Sequence, residues 1–408
     1  MNCQVCNESD LLDVIDLGML PLVNSLPPKS DFAPDECHEI SIVQCTNCSL
    51  VQLASFPSMP EIFPEEYLYL SGLTPPLLAN FSEQAVSVSQ FMRVENGNLS
   101  FGVLDIGSND GSLLSFYRDL GHSPIGIEPT NAADIANLNG IKTIKDYFNA
   151  ASSSIAVNIA GQIDVITATN VFAHIPDPVS IVETISSTLS SKGIFISENH
   201  YFVDLVNSLQ IDTIYHEHLR YYTLTSISNL LKIGGLEVFR VQKIDSHGGS
   251  IRVWSARKGT FPIENSVTDM KFDEISNGFI DGSYIDKLQK DVTAWRLNIK
   301  KLIAEIRASG GTIAGIGAPS RAVTLITYLG LNHDDISSIG EKTGSKKIGK
   351  RIPTTKIPIV DESELLALVP SHLLILSWHI MDTLIPILRK KNFGGNYIIP
   401  LPTPRISN

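Results

Sequence analysis

Two Cys-x-x-Cys pairs, Cys3-Gln-Val-Cys6 and Cys45-Thr-Asn-Cys48, open the chain, and a dense titratable run, Tyr215-His216-Glu217-His218, lies near its middle. One such pair brings two thiolates to a single Zn²⁺ at about 2.3 Å, and two pairs fill a tetrahedral shell with sulfur. That leaves no coordination position for a reacting oxygen, so the expected role is structural. The histidine run points to different chemistry. An imidazole, with an ordinary pKa of about 6.5, removes a proton at neutral pH, which makes this cluster the natural site for acid–base work. A zinc-protease helix needs histidines four apart, whereas His216 and His218 are two apart, which argues against hydrolysis at a metal. A purely structural role for the cluster stays open at this stage.

A third feature lies between these two. Val103-Leu104-Asp105-Ile106-Gly107-Ser108-Asn109-Asp110-Gly111 reads as a buried strand bending sharply into a helix, with Gly107 and Gly111 letting the backbone approach a ligand. Glu128 ends the next strand, where a carboxylate can accept both hydroxyls of a ribose. A dinucleotide would need glycine at Asn109, and Asp110 would repel a pyrophosphate. S-adenosylmethionine has no phosphate but carries an ammonium and a sulfonium, so Asp105 and Asp110 suit it by charge. Asn170, following the strand Ile163 to Thr169, is expected at the methionine end, with Asp146 or Tyr147 flanking the adenine. Methyl transfer is favoured over hydride transfer.

The elements that must position these groups follow from composition and pattern. A length of 408 residues, 43% apolar and 18% charged, calls for two or three soluble domains. No stretch approaches the roughly 20 uncharged apolar residues of a spanning helix, and the start Met-Asn-Cys-Gln-Val-Cys carries no secretory signal. The expected setting is the cytoplasm. Cys37 is left over beside His38 and reads as a bystander. A net charge of −12 argues against a nucleic-acid partner. Residues 1–80, rich in proline, read as irregular, too poor in core to stand without zinc. From Val103, short β-branched runs at 103–106, 125–128, 163–167 and 194–198 alternate with helical stretches, which predicts a parallel sheet covered on both faces. Segments 236–244 and 250–255 look like antiparallel strands closing it. An amphipathic stretch over 284–308 then leads to a second α/β unit with strands at 312–316, 357–360, 373–376 and 397–400. The fold class is thus α/β: a zinc-binding segment 1–80, a Rossmann-like core 81–256 and a C-terminal α/β domain 257–408.

These motifs together resemble a known family. The cysteine knuckles, Tyr67-Leu68-Tyr69-Leu70-Ser71-Gly72, Asp105 to Gly111, His216-Glu217-His218, His247-Gly248-Gly249-Ser250-Ile251-Arg252 and Gly315-Ile316-Gly317-Ala318-Pro319 are similar, nearly end to end, to the sugar C-methyltransferases that act on nucleotide-linked keto-deoxysugars. The resemblance implies a base that removes a proton from the carbon beside a keto group, giving an enolate that attacks the methyl group of S-adenosylmethionine. It places the base at His218, with Glu217 as its neighbour, Tyr69 near the reacting carbon or enolate oxygen, and His174 and Tyr215 as further catalytic polar groups. His216 is assigned to substrate binding. His247 reads equally as the cap of a turn.

In the C-terminal unit, Gly317, Ala318, Pro319, Ser320 and Arg321 lead from a strand into a helix start. Its free N–H groups and the Arg321 guanidinium are candidates to hold the sugar nucleotide's diphosphate. The family shows a lysine near this helix start, and Arg321 takes its place here. The basic run Glu341 to Arg351 is read as a solvated loop, with a second phosphate clamp as the alternative. A monomer or dimer is expected. The competing readings are O- or N-methylation of a sugar or small metabolite, and a zinc-ribbon binding protein on a methyltransferase fold without turnover.

Overall fold

The computed structural model describes residues 1–62, 70–73, 75–97 and 99–408. The first of its sheets is antiparallel, with β1 (Leu11–Pro21), β2 (Cys37–Cys45), β3 (Val51–Leu53) and, from far along the chain, β9 (Arg220–Tyr221) in the order β1-β2-β3-β9. The proline-rich front is therefore more regular than its sequence suggests. The reason is visible in the register: β1 shifts against β2 between Asp13 and Ile15 and again between Asp16 and Gly18. Each bulge breaks the two-residue alternation by which a strand is recognised.

Nor does this sheet depend on metal alone. Val14, Leu17, Ile40 and Ile42 share one apolar core with Trp295, Ile299 and Ile303 of the helix Ile285–Ala308 and with Leu325 and Ile326 of the helix Ser320–Leu329. The N-terminal sheet and the C-terminal unit thus bury the same surface against each other, and burial of this kind dominates folding stability. Arg351 adds a buried ion pair to Asp35 at 2.7 Å.

The second sheet holds β4 (Gly102–Ile106), β5 (Ser123–Ile127), β6 (Thr143–Ile144), β7 (Ile163–Thr169), β8 (Leu189–His200), β10 (Leu236–Ile244) and β11 (Ser250–Arg257), ordered β10-β11-β8-β7-β4-β5-β6. Strands β4 to β8 are parallel, and β11 runs antiparallel to both β8 and β10, closing the sheet as expected. Sequence order reverses between β4 and β7, and the crevice at such a switch point is where open α/β sheets bind ligands. Beside it, buried Arg252 pairs with Glu198 at 2.7 Å and also with Glu83, tying the helix Pro75–Asn96 to β8 and β11.

The third sheet is β12 (Ile313–Ile316), β13 (Ile339–Glu341), β14 (Ile359–Asp361), β15 (His372–Ile375), β16 (Asn396–Ile399) and β17 (Arg405–Ser407), ordered β14-β13-β12-β15-β16-β17. All its pairings are parallel except that of β17. This is the second α/β unit read from the sequence, with a switch point of its own at β12. Among the described residues no helix is long and apolar enough to cross a membrane.

Candidate active site

The four paired cysteines come together. Cys3 Sγ and Cys48 Sγ lie 3.4 Å apart, Cys6 Sγ and Cys45 Sγ 3.5 Å apart, and all four sulfurs fall within 4.8 Å of one another. A tetrahedron with metal–sulfur bonds of about 2.3 Å has sulfur–sulfur edges of about 3.8 Å, so the cluster fits Zn²⁺. Both knuckles fold alike. The residue after each second cysteine, Asn7 at φ 63° and Ser49 at φ 60°, turns left-handed and donates its N–H to the carbonyl of the first cysteine at 3.0 Å.

A single cleft of about 1560 Å³ runs from Gly107, Asn109 and Glu128 past Asn170 and the histidines to Ser320 and Lys347. Pockets for one small molecule span about 300–1,000 Å³. The volume suits two ligands end to end.

At the cofactor end, Gly107 has φ 66°, and a Cβ there would meet Val171 at 2.8 Å, so glycine is required at this bend. Glu128 accepts the N–H of Asn109 at 3.0 Å and that of Thr130 at 2.9 Å while facing the cleft. Asn170, held at φ 58°, carries a buried side-chain amide oxygen with no hydrogen-bond partner among the described residues. Such an orphan acceptor fits a ligand bringing its own donor, as an amino acid ammonium does. Tyr147 and Phe148 also line this end.

Several expected cofactor contacts are not on this wall. Asp105, a residue of β4 itself, is buried and accepts from Thr167 Oγ1 of the neighbouring β7 at 2.6 Å, and burial pushes its carboxyl up to about 7. It offers at most a partial countercharge. Asp110 turns away to accept the N–H of Gly72 at 2.8 Å and the N–H and hydroxyl of Ser112 at 3.1 and 2.6 Å, so its carboxylate holds the turn into the helix together. A Cβ on Gly111 would press on Ala136 and Ile141, so this glycine serves packing. Asp146 is exposed and accepts from the Tyr147 N–H. The charge argument for these acids therefore reduces to Glu128.

The middle of the cleft collects His174, His200, Tyr215, Glu217, His218 and His247. His218 Nδ1 lies 2.8 Å from the Thr213 carbonyl oxygen. A carbonyl only accepts, so Nδ1 carries the proton and the lone pair sits on Nε2. Burial, aided by the neighbouring His174, holds His218 well below the usual imidazole range, which keeps it neutral at pH 7 with its lone pair unprotonated. The Tyr215 ring packs 4.2 Å from it and that of His174 5.1 Å. His174 Nδ1 donates to the Glu217 carbonyl at 2.7 Å. Burial raises the Glu217 carboxyl to about 7. His216, despite its place in the motif, points the other way, its ring 5.6 Å from that of His38 and off the cleft wall. In a loop without regular period, neighbouring side chains diverge. Tyr69 lies outside the described residues.

At the far end Pro319, Ser320 and Arg321 line the cleft, while Gly317 and Ala318 pack behind it. The Arg321 guanidinium is already engaged: it pairs with buried Asp212 at 3.0 Å and reaches His379 Nδ1 at 2.8 Å. A fork so committed is a poor phosphate clamp. Lys347 lines the same end of the cleft, half-buried, with Nζ 2.6 Å from the Ala318 carbonyl. The basic run is thus not a plain solvated loop, since Lys347 faces the cleft and Arg351 is buried against Asp35. His200 and Asn24 were missed from sequence, whereas Lys347 lies in the basic run for which a phosphate clamp was the alternative to a solvated loop. Only His200, closing a strand at the crevice edge, carried a usable signal.

Comparison with known proteins follows the same three parts of the chain. Residues 3–63 match the family model described as "Putative zinc binding domain", residues 77–241 the "Methyltransferase domain" and residues 245–402 the "C-methyltransferase C-terminal domain". The C-methyltransferase NovU of Streptomyces niveus is 30% identical over 99% of this chain and 96% of its own length. A ubiquinone biosynthesis O-methyltransferase of Cupriavidus pinatubonensis is 31% identical, but over 26% of this chain and 41% of that protein. Among solved structures, an S-adenosylmethionine-dependent methyltransferase from Clostridium acetobutylicum aligns with 44% of this chain and 92% of its own at 15% identity and a TM-score of 0.35.

Proposed function

The chain belongs to the zinc-containing, S-adenosylmethionine-dependent sugar C-methyltransferases, and on that premise we propose that it methylates C3 of a nucleoside-diphosphate 4-keto-deoxysugar. The observation that carries this reading is His218, a buried neutral imidazole with its Nε2 lone pair free of the Thr213 hydrogen bond, midway along the cleft between Gly107 and Lys347. S-adenosylmethionine bound at the Gly107 bend supplies the electrophilic methyl group. Glu128 takes its ribose and Asn170 Oδ1 its ammonium.

The chain's own part is proton chemistry and positioning. His218 Nε2 takes the proton from C3, the C–H electron pair moves into an enolate with the adjacent keto oxygen, and the enolate carbon forms the new C–C bond to the donor's methyl group as the methyl–sulfur bond breaks and its electron pair leaves with sulfur, as S-adenosylhomocysteine. Glu217, on the wall of the same cleft and with its carboxyl raised by burial to about 7, is the group assigned to carry that proton onward. Lys347 and the N-terminus of the helix Ser320–Leu329 face the diphosphate, and the C-terminal unit 257–408 carries the nucleotide. Incubation with labelled methyl donor and a panel of 4-keto deoxysugar nucleotides, with NMR to locate the label, tests the reading. Label on oxygen or nitrogen, or full retention of deuterium at C3, overturns it.

Two expected results follow. Glu128→Gln loses the charged acceptor of the ribose and weakens S-adenosylmethionine binding by about 10- to 100-fold by calorimetry, in line with the roughly 1.5–3 kcal/mol of a charge-assisted hydrogen bond. The second concerns pH. His218 stays unprotonated well below 6.5, so it does not limit the rate on the acid side. Glu217, lifted to about 7, does: turnover needs its carboxylate and falls as pH drops through that value. In a kcat profile, Glu217→Gln is expected to lower the rate and abolish this acid limb.

A further inference from the structure

We propose that Asn24, contributed by the cysteine-bearing N-terminal segment, is a positioning residue that holds the Glu217 carboxylate in its working place. The inference rests on the role given to Glu217 above and goes beyond it by joining the zinc-bearing segment to the chemistry. Asn24 lies just past β1 and reaches the cleft wall. Its Nδ2 donates to Glu217 Oε1, while its Oδ1 accepts the Ser320 hydroxyl at 3.0 Å. A flipped amide would set its oxygen against the Glu217 carboxylate, which only accepts, whereas the Ser320 hydroxyl can donate or accept; the carboxylate therefore sets the orientation. Three distant parts of the chain, the N-terminal segment, the loop before His218 and the start of the helix Ser320–Leu329, thus meet at one side chain.

The other groups around Glu217 do not replace this contact. The Lys347 ammonium acts on it by charge. His174 binds the Glu217 backbone carbonyl rather than its carboxylate, His216 turns towards His38, and His218 is committed through Nδ1 to Thr213. Burial favours the protonated acid, and an N–H aimed at the carboxylate favours the ion. Removing Asn24 therefore raises the pH at which Glu217 ionises. Putting a second carboxylate in its place raises it further.

The test compares Asn24→Ala, Asn24→Asp, Glu217→Gln and the double variant Asn24→Ala/Glu217→Gln in the full-length zinc-loaded protein, using a 4-keto deoxysugar nucleotide that the wild type turns over. Both Asn24 variants are expected to shift the acid limb of kcat to higher pH and to lower kcat at pH 7 by roughly 10-fold. KM for S-adenosylmethionine should stay within about 2-fold, and the double variant should be no slower than Glu217→Gln alone. Asn24→Asp keeps the side chain's shape, so it carries the test if the alanine variant folds poorly. An acid limb unmoved in both Asn24 variants but lost in Glu217→Gln overturns the role of Asn24 and leaves that of Glu217 standing. A wild-type limb in Glu217→Gln overturns the reading of Glu217 and this inference with it.

Discussion

His218→Asn should abolish methyl transfer to carbon, lowering kcat by about 10²- to 10⁴-fold, the usual worth of a positioned general base, while S-adenosylmethionine affinity changes little. Asparagine preserves much of the imidazole's volume, and its amide can still donate to the Thr213 carbonyl that holds Nδ1 at 2.8 Å. What it lacks is a basic lone pair facing the cleft. Substrate deuterated at C3 separates loss of base from loss of fold. Wild type washes the deuterium out in ordinary water, and the variant should retain it even where the donor binds normally. A variant that binds the donor, keeps its melting temperature and still washes deuterium out at the wild-type rate would place the base elsewhere.

The reach of sequence reasoning follows the range of the constraint. Gly107 and Glu128 were legible because the bend is local: a strand end, a glycine at positive φ and an acid closing the next strand define it without knowledge of the rest of the chain. The histidine run was legible as a titratable cluster but not as direction, since nothing in the order His216, Glu217, His218 says which ring faces the cleft. Asp110 and Arg321 failed for a related reason. Each has the right charge beside the right turn, yet Gly72 and Ser112 occupy the first and Asp212 the second. Gly72 and Asp212, 38 and 109 positions away, leave no trace in a local pattern. Asn24 is the extreme case, an unremarkable polar residue made significant by contacts 193 and 296 positions away.

Removing zinc, by chelation or by Cys45→Ser, should destabilise the whole protein and silence it, rather than merely unfolding its first residues. The knuckles join two cores. Cys3, Val5, Cys45, Cys48 and Leu50 pack in one apolar cluster with Leu224, Ile227 and Leu230 of the second unit, and the Cys48 carbonyl accepts from Asn229 at 3.1 Å. Cys45 ends β2, whose other face belongs to the core shared with Trp295 and Ile299. Loss of the metal leaves the cysteine sulfurs crowded and unligated in a largely buried site, and structural zinc contributes directly to folding free energy. A loss of several kcal/mol, a fall in melting temperature of roughly 10 °C and a sharp drop in kcat are expected together. The apolar contacts with the C-terminal unit argue that secondary structure largely survives at low temperature. Activity should suffer first, because β1 leads directly into Asn24 and any loosening of that sheet moves the amide off Glu217. Metal-free protein that melts as the holoprotein does and turns over at its rate would show that the N-terminal sheet holds its position without the ion.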